Sequence, residues 1–403
     1  MSGRSLKIAV MSSGLGHIAR GVETWADTTA TALYDRGEDV TLFKGGGTAD
    51  RPFEHVVRCA QRYGRVAESL ARWTPGWTWH IGCGSPYDVE QTTFAAGVLG
   101  TLRREMFDVI HLQDPWLAYL LERTRPLHGA KVILGNGTEE PPEFLAKFEH
   151  IQELTPYYLE RHGDLGGRKW FAAPNFIDVD RFRPGDGIAA RRELGIPEDA
   201  FVVLSVAALN RSRKRLDWII REFARADLSN ALLVLAGAEE PETEDLLNEG
   251  RELLGERLIV RTNVPFEQMP QVYHVGDVHV LGSLQEVMGI SLVEAMASGL
   301  PCIGHCWPAT EWVIANGGSI VDMQQPGQLA AELPRYQQDV ALCTERGTAA
   351  RQRAEDVFSI DAVIAQYLAM YRAVWGLDVE EPSSPSEATG SKTSEVPELV
   401  GSA

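Results

Sequence analysis

The sequence predicts an α/β protein made of two doubly wound parallel-sheet domains facing each other across a cleft. Three observations predict it. Short apolar, β-branched-rich runs alternate with longer amphipathic stretches along almost the whole chain, which is the pattern of repeated βαβ units. The runs are too continuous for strands with one wet face, so they read as parallel strands buried on both faces. Finally, 403 residues are too many for one hydrophobic core and suit two domains.

In the first half the strand-like runs are Lys7–Ser12, Asp39–Lys44, Phe107–Gln113, Lys131–Asn136 and Lys169–Asn175. In the second they are Phe201–Ala207, Ala231–Gly237, Arg257–Thr262, Val278–Ser283, Leu300–His305 and Gly318–Asp322. Helical segments such as Gly21–Tyr34 and Leu216–Ala226 separate them. The turn-rich stretch Arg183-Pro184-Gly185-Asp186-Gly187 lies between the two series and divides residues 1–184 from residues 185–359. In residues 360–377, Ile360, Val363, Ile364, Tyr367, Leu368, Tyr371 and Val374 recur at helical spacing. Residues 378–403 are rich in Ser, Pro, Glu and Thr and nearly free of aromatics, the composition of a disordered acidic tail. Two Rossmann-like domains of this kind place ligands between the carboxyl ends of their sheets.

A hydrophobic fraction of 44% and a charged fraction of 23% exclude a disordered or fibrous chain. No run approaches the ~20 apolar residues of a membrane span, and MSGRSLKIAV lacks a signal-peptide cleavage site. Five scattered cysteines suit reduced thiols, so the expected location is cytoplasmic. The net charge of −18 is uneven. Residues 1–185 carry 21 Lys+Arg against 23 Asp+Glu, residues 186–377 carry 16 against 27, and the tail carries 1 against 6. No extensive basic face is available to neutralise phosphates, which excludes nucleic acid as a partner.

The sharpest motif runs from Gly282 to Pro301: a strand end, a glycine-containing loop, and a helix that stops at Gly299. Amides at Val287, Met288 and Gly289 would face a polar or anionic group at the helix start. Glu286 stands at the loop mouth, and Glu294, eight residues on, can accept two hydroxyl hydrogen bonds, as from a ribose diol. The bland alternative makes Glu286 a dipole-favoured charge and Glu294 an exposed helix residue. A second cluster, Asn210-Arg211-Ser212-Arg213-Lys214-Arg215, follows a strand in the acidic half. Four cations there repel one another unless an anion joins them. The Lys214 ammonium is a compact charge for a diphosphate, and Arg211, Arg213 or Arg215 adds a bidentate fork.

In the first half, the turn Ser12–Gly21 holds Gly14 and Gly16, which permit close backbone approach, with His17 as a candidate base and Arg20 as a further charge. Its spacing is not the dinucleotide fingerprint. Asp114 ends one strand and can polarise an acceptor hydroxyl, or cap the following helix. Asn136 ends the next strand and can hydrogen-bond a sugar. Trp73–His80 packs three tryptophans around a Pro-Gly turn, and Trp77 offers a stacking face. Arg58, Arg62, Arg65 and Arg72 lie along a predicted amphipathic helix, mainly a solvated face and at most a peripheral membrane contact.

The string from Glu286 to Pro301 resembles the E-x7-E segment of retaining glycosyltransferases of family four, which have the GT-B fold. Ala172–Pro184 is similar to that family's interdomain segment, with Phe176 where glycine is usual. Val206-Ala207-Ala208-Leu209 with Lys214-Arg215 resembles the donor pyrophosphate grip, although the family arginine is absent at Ala208. Gln271–Val278 resembles the strand entry that precedes the E-x7-E segment.

The resemblance implies a metal-independent hexosyltransferase without a cofactor, using a nucleoside diphosphate sugar and a hydroxylated small-molecule, glycan or lipid-linked acceptor. It makes Glu286, Lys214 and Asp114 catalytic. Gly16, Arg211, Arg215, Thr262, Val287, Met288, Gly289 and Glu294 would bind the donor, and Gly14, His17, Arg20, Trp77 and Asn136 the acceptor. It also implies that helix 360–377 crosses back to the first domain. Asp178-Val179-Asp180 and Cys302-x3-Cys306 with His305 are set aside as metal motifs, since one lies in the interdomain segment and the other lacks a second ligand pair. Two rival functions remain: a sugar-nucleotide epimerase or hydrolase on the same fold, and a non-catalytic partner subunit.

Overall fold

A computed structural model describes residues 5–18, 20–73, 82–163 and 169–377. The first sheet contains β1 (Lys7–Ser12), β2 (Asp39–Lys44), β3 (Glu54–Val56), β4 (Val109–Leu112), β5 (Lys131–Asn136), β6 (His150–Glu153) and β7 (Lys169–Ala172). All neighbours are parallel, in the order β3-β2-β1-β4-β5-β6-β7. The second contains β8 (Phe201–Val206), β9 (Ala231–Gly237), β10 (Leu258–Thr262), β11 (Val278–Val280), β12 (Cys302–His305) and β13 (Gly318–Val321). Its parallel order is β10-β9-β8-β11-β12-β13. Each order reverses direction once, at β1/β4 and at β8/β11, and such switch points open a crevice at the carboxyl edge.

Helices cover both faces of both sheets. Val10 and Ile8 of β1 contribute to one apolar cluster and Ala9 and Met11 to another, because alternate side chains leave opposite faces of a strand. β3 and β6 were not among the expected strands. β3 is a three-residue edge. β6 reads His-Ile-Gln-Glu; Gln152 and Glu153 are buried with their side chains bonded internally, while neither ring nitrogen of buried His150 has a hydrogen-bond partner among the described residues. Gln152 accepts from or donates to His111, the Ala173 carbonyl and the Tyr367 hydroxyl at 2.6–2.8 Å.

The chain leaves the first sheet through Ala173–Pro184 and returns along the helix Ile360–Trp375. Ser359 caps that helix by accepting from the Ala362 amide. Its apolar face joins the first domain's core with Leu6, Ile8 and Trp25. Tyr367 receives a hydrogen bond from Trp25 Nε1 at 3.1 Å and donates to the Pro174 carbonyl at 3.0 Å. Phe176 stacks edge-on against the same tyrosine, which gives the large side chain at that position a packing reason. The two crossings touch, with the Ile177 amide donating to the Phe358 carbonyl at 2.9 Å.

Among the described residues no helix is long and apolar enough to cross a membrane. The arginine-bearing helix is shorter than expected, Arg65–Trp73, and Arg62 precedes it as a buried ion-pair partner rather than a solvated side chain. Val66, Leu70 and Trp73 are exposed on that helix.

Candidate active site

Loops at the carboxyl ends of both sheets converge on a cleft of about 870 Å³. From the first domain come Arg20 and Glu23 after β1, Gln113 after β4, and Thr138 and Glu139 after β5. From the second come Arg213 and Arg215 after β8, Leu284–Ile290 after β11, and His305 and Trp307 at and after β12. A cleft fed by strand ends from two sheets places polar groups from distant sequence in one volume.

Glu286 lines this cleft, and Lys214, 72 residues earlier, forms an ion pair with it. The Asn210 side chain fixes the basic loop by accepting from the Arg213 and Lys214 amides at 3.1 and 2.8 Å. The expected four-cation cluster is partly neutralised. Arg211 pairs with Glu249 and donates to the Asp245 carbonyl, so it is anchored to a neighbouring helix and does not line the cleft. Arg213 is exposed and lines it. Arg215 lines it too, donating to the Met323 carbonyl at 2.8 Å and lying over the Trp218 ring; burial lowers its pKa.

The helix after the glycine loop is Ile290–Ala297, with Gly289 as its cap at φ +76°. It begins later than the sequence indicates, so Val287 and Met288 belong to the loop rather than to the first turn. All three residues line the cleft. Only a glycine adopts that backbone angle without strain.

Glu294 is not an exposed helix residue. It faces an adjoining cavity of about 310 Å³ that shares Arg20, Gly21, Asn175 and Ile290 with the main cleft and is otherwise largely apolar. Tyr273 donates to its carboxylate at 2.6 Å. Burial pushes the Glu294 carboxyl up to about 7, and the tyrosine only partly opposes that. In the unfolded chain the group titrates near 4.5, so between these values the folded protein holds a proton that the unfolded chain has released. Stability from this group is therefore lost as pH rises from about 5 to about 7. Glu294→Gln should flatten the fall of melting temperature across that window; a variant with the wild-type slope would show that the carboxyl is not desolvated.

Several other sequence candidates stand away from the cleft. Asp114 is fully buried, accepting from the Ser13 amide at 2.7 Å and the Tyr87 hydroxyl at 2.5 Å; burial raises its pKa, and it makes no cap to the next helix. Its strand-end carboxylate is held by those two donors and does not line the cleft. Asn136 is buried as well, donating to Glu153 and accepting from the Glu140 amide. His17 hydrogen-bonds Glu90 at 2.7 Å. Gly16 packs on the backbone of Gly46, where a Cβ would come within 2.2 Å of a carbonyl oxygen. Gly14 packs against Glu23 and Arg62. Thr262 lines a different cavity, beyond Val264. Trp77 lies outside the described residues. Asp178 accepts from the Asp180 and Arg181 amides in a local turn. His305, Cys306 and Asp322 bring their ligand atoms within 4.8 Å of one another, with His305 Nδ1 accepting from the Met323 amide.

Sequence reasoning missed the ionic floor of the first domain. Arg62 binds Glu90 through backbone and guanidinium, at 2.6–3.0 Å, and lies 3.9 Å over the Tyr87 ring. Glu23 sits beside it. The only signal was an arginine among solvated neighbours.

Residues 187–353 match the family described as Glycosyl transferases group 1. The chain is 31% identical over 223 residues to a D-inositol 3-phosphate glycosyltransferase of Streptomyces avermitilis, covering 51% of this chain and 46% of that protein. It is 30% identical over 313 residues to the Geodermatophilus obscurus protein of the same name, covering 71% and 66%. The chain thus spans about half the length of the first of these relatives. Among solved structures, sucrose-phosphate synthase from Thermosynechococcus elongatus superposes with a TM-score of 0.73 at 20% identity, covering 92% of this chain and 99% of that one. Anabaena HepE in complex with UDP and glucose superposes at 0.69 and 15% identity, covering 91% and 100%. The matched second domain, the fold over nearly the full length and these relatives agree: the chain belongs to the group 1 glycosyltransferases, the family-four proteins with the GT-B fold.

Proposed function

We propose that this protein is a retaining, metal-independent hexosyltransferase that moves a sugar from a nucleoside diphosphate to a hydroxylated acceptor. The observation that carries the reading is the ion pair that Lys214 makes with Glu286, a residue on the wall of a cleft built from both domains. A departing diphosphate needs cations already in place, and Lys214, Arg213 and Arg215 supply them from one loop. Donor binding exchanges the Lys214–Glu286 contact for a contact of each with the donor, phosphate for the ammonium and sugar hydroxyls for the carboxylate. The loop Val287–Gly289 supports the sugar. Glu294, in a cavity lined by Phe176, Val264, Phe266 and Met269, suits a ribose diol with an apolar neighbour for the base.

The test combines nucleotide binding with product analysis. UDP, GDP and ADP are screened by thermal shift, since a ligand of the native state raises apparent stability. Glu294→Ala should mainly raise the donor KM, because a ribose contact is alike in ground and transition states. Glu286→Ala should mainly lower kcat, because charge near the anomeric carbon develops during reaction. Donor turnover to an epimer, or to free sugar alone when acceptors are supplied, would replace the transferase reading with the epimerase or hydrolase one. Identical kinetic patterns in the two variants would remove the division of labour.

A further inference from the structure

On the acceptor side of the cleft Glu139 is paired with Arg161, which leaves Glu23 as a lining carboxylate that the assigned chemistry does not use. It lies in the first turn of the helix Gly21–Asp35, is only 3% exposed, and lines the cleft. Its Oε2 has no hydrogen-bond partner among the described residues. The carboxyl packs closely on the Gly14 backbone. A Cβ on Gly14 would come within 2.2 Å of Glu23 Oε1 and 2.7 Å of Arg62 Nη2, so a larger residue there would push both side chains from these places. A buried carboxylate with an empty acceptor position is costly unless something else supplies the missing donor.

The neighbouring cations do not supply it. Arg62 approaches Glu23 only to 3.7 Å, while its hydrogen bonds go to Glu90 and its face to Tyr87. Arg20, at the rim, reaches the Tyr63 hydroxyl at 3.3 Å. Glu23, Glu90 and Asp114 surround Arg62, and burial, with the charge of Asp114 behind it, raises the Glu23 pKa. Counting Arg20 at the rim, three carboxyl groups stand with two guanidinium groups there, and a phosphate set against Glu23 would meet like charge.

We propose that Glu23 is the acceptor-recognition residue of this cleft, taking through Oε2 a hydrogen bond from a hydroxyl or ammonium group of the acceptor, and that the acceptor turns no phosphate toward this floor. The inference rests on the transferase reading and deepens it by naming the acceptor's contacting chemistry. Gln113 and Thr138, on the same side of the cleft, add neutral polar groups suited to further hydroxyls.

The experiment compares the full chain with Glu23→Gln and Glu23→Ala. Thermal shift with UDP, GDP and ADP reports the donor half and should be alike in all three proteins. If the wild type binds none of them, the transferase reading fails and takes this inference with it. Transfer is then measured from the glucose conjugate of the nucleotide that binds to four probes: myo-inositol, methyl glucoside, glucosamine and inositol 3-phosphate. The wild type should prefer a neutral or amino probe to the phosphorylated one. Acceptor kcat/KM should fall roughly 10- to 100-fold in Glu23→Ala, the range for losing a hydrogen bond to a charged group, with donor KM unchanged. Glu23→Gln separates the two sources. It keeps an acceptor oxygen and so retains more activity than Ala toward a hydroxyl, but falls as far as Ala toward an ammonium. Preference for inositol 3-phosphate, unchanged acceptor kinetics in both variants, nucleotide binding lost in both, or use of no probe while nucleotide still binds would each overturn the proposal.

Discussion

Lys214→Ala is expected to lower kcat by about 10²- to 10³-fold, the scale for removing one preorganised stabiliser of developing charge. Two effects act together. The diphosphate loses the ammonium nearest to Glu286, and Glu286 is left as an uncompensated carboxylate facing an anionic leaving group. The second effect also raises the donor KM. Lys214→Ala combined with Glu286→Gln separates them, because the double variant lacks the stray charge and should recover donor affinity without recovering turnover. Nearby arginines do not take the place of Lys214 beside Glu286: Arg211 is tied to Glu249, Arg215 is held at its own place on the cleft by the Met323 carbonyl and Trp218, and Arg213 already supplies its own charge there. A single variant turning over within a few-fold of wild type at saturating donor would refute the role.

The second large effect concerns the returning helix. A chain ending before Ser359 should be insoluble or inactive, whereas one ending after Leu377 should melt and turn over like the full protein. The helix buries Val363, Ile364, Tyr367, Met370, Tyr371 and Val374 against the first domain. Each fully buried large apolar side chain contributes on the order of 1.5–3 kcal/mol, so losing six removes an amount comparable to the total stability of an ordinary domain. Polar groups would be stranded as well: His111 loses the Tyr371 hydroxyl, and Trp25 and Gln152 lose Tyr367. Tyr367→Phe tests the polar part alone, and should cost stability while leaving solubility intact. A soluble, active chain ending before Ser359 would show that the first domain closes its core without the helix.

The fold was legible wherever burial and hydrophobicity coincide. β1, β2, β5, β8 and β9 are apolar runs buried on both faces, and their bounds in sequence and structure differ by at most one residue. β6 was illegible because most of its buried residues are polar, and what makes Gln152 and Glu153 tolerable, His111, Tyr367 and Asn136, comes from elsewhere in the chain. The site divides in the same way. Glu286, Glu294 and the glycine loop form one local string whose spacing carries information. Asp114 and Asn136 were correctly read as strand-end residues, but a strand end says nothing about where the side chain turns; donors at Ser13, Tyr87 and Glu140 decide that. Glu23 and Arg62 are ordinary charges in sequence, and only the fold brings Glu90 and Tyr87 to them.

The hydrogen bond between Ile177 and Phe358 ties the outgoing and returning chain crossings to each other. Two separate tethers would let the halves slide, shear or twist. Crossings joined there, and held again where Arg351 binds the Val179 and Phe182 carbonyls, remove most of that freedom. The contact of Tyr157 with Trp307 ties the halves at a further place, beside the cleft. The mutual placing of the two cleft walls is thereby fixed by residues that touch no reacting atom, Phe176 and Tyr367 among them.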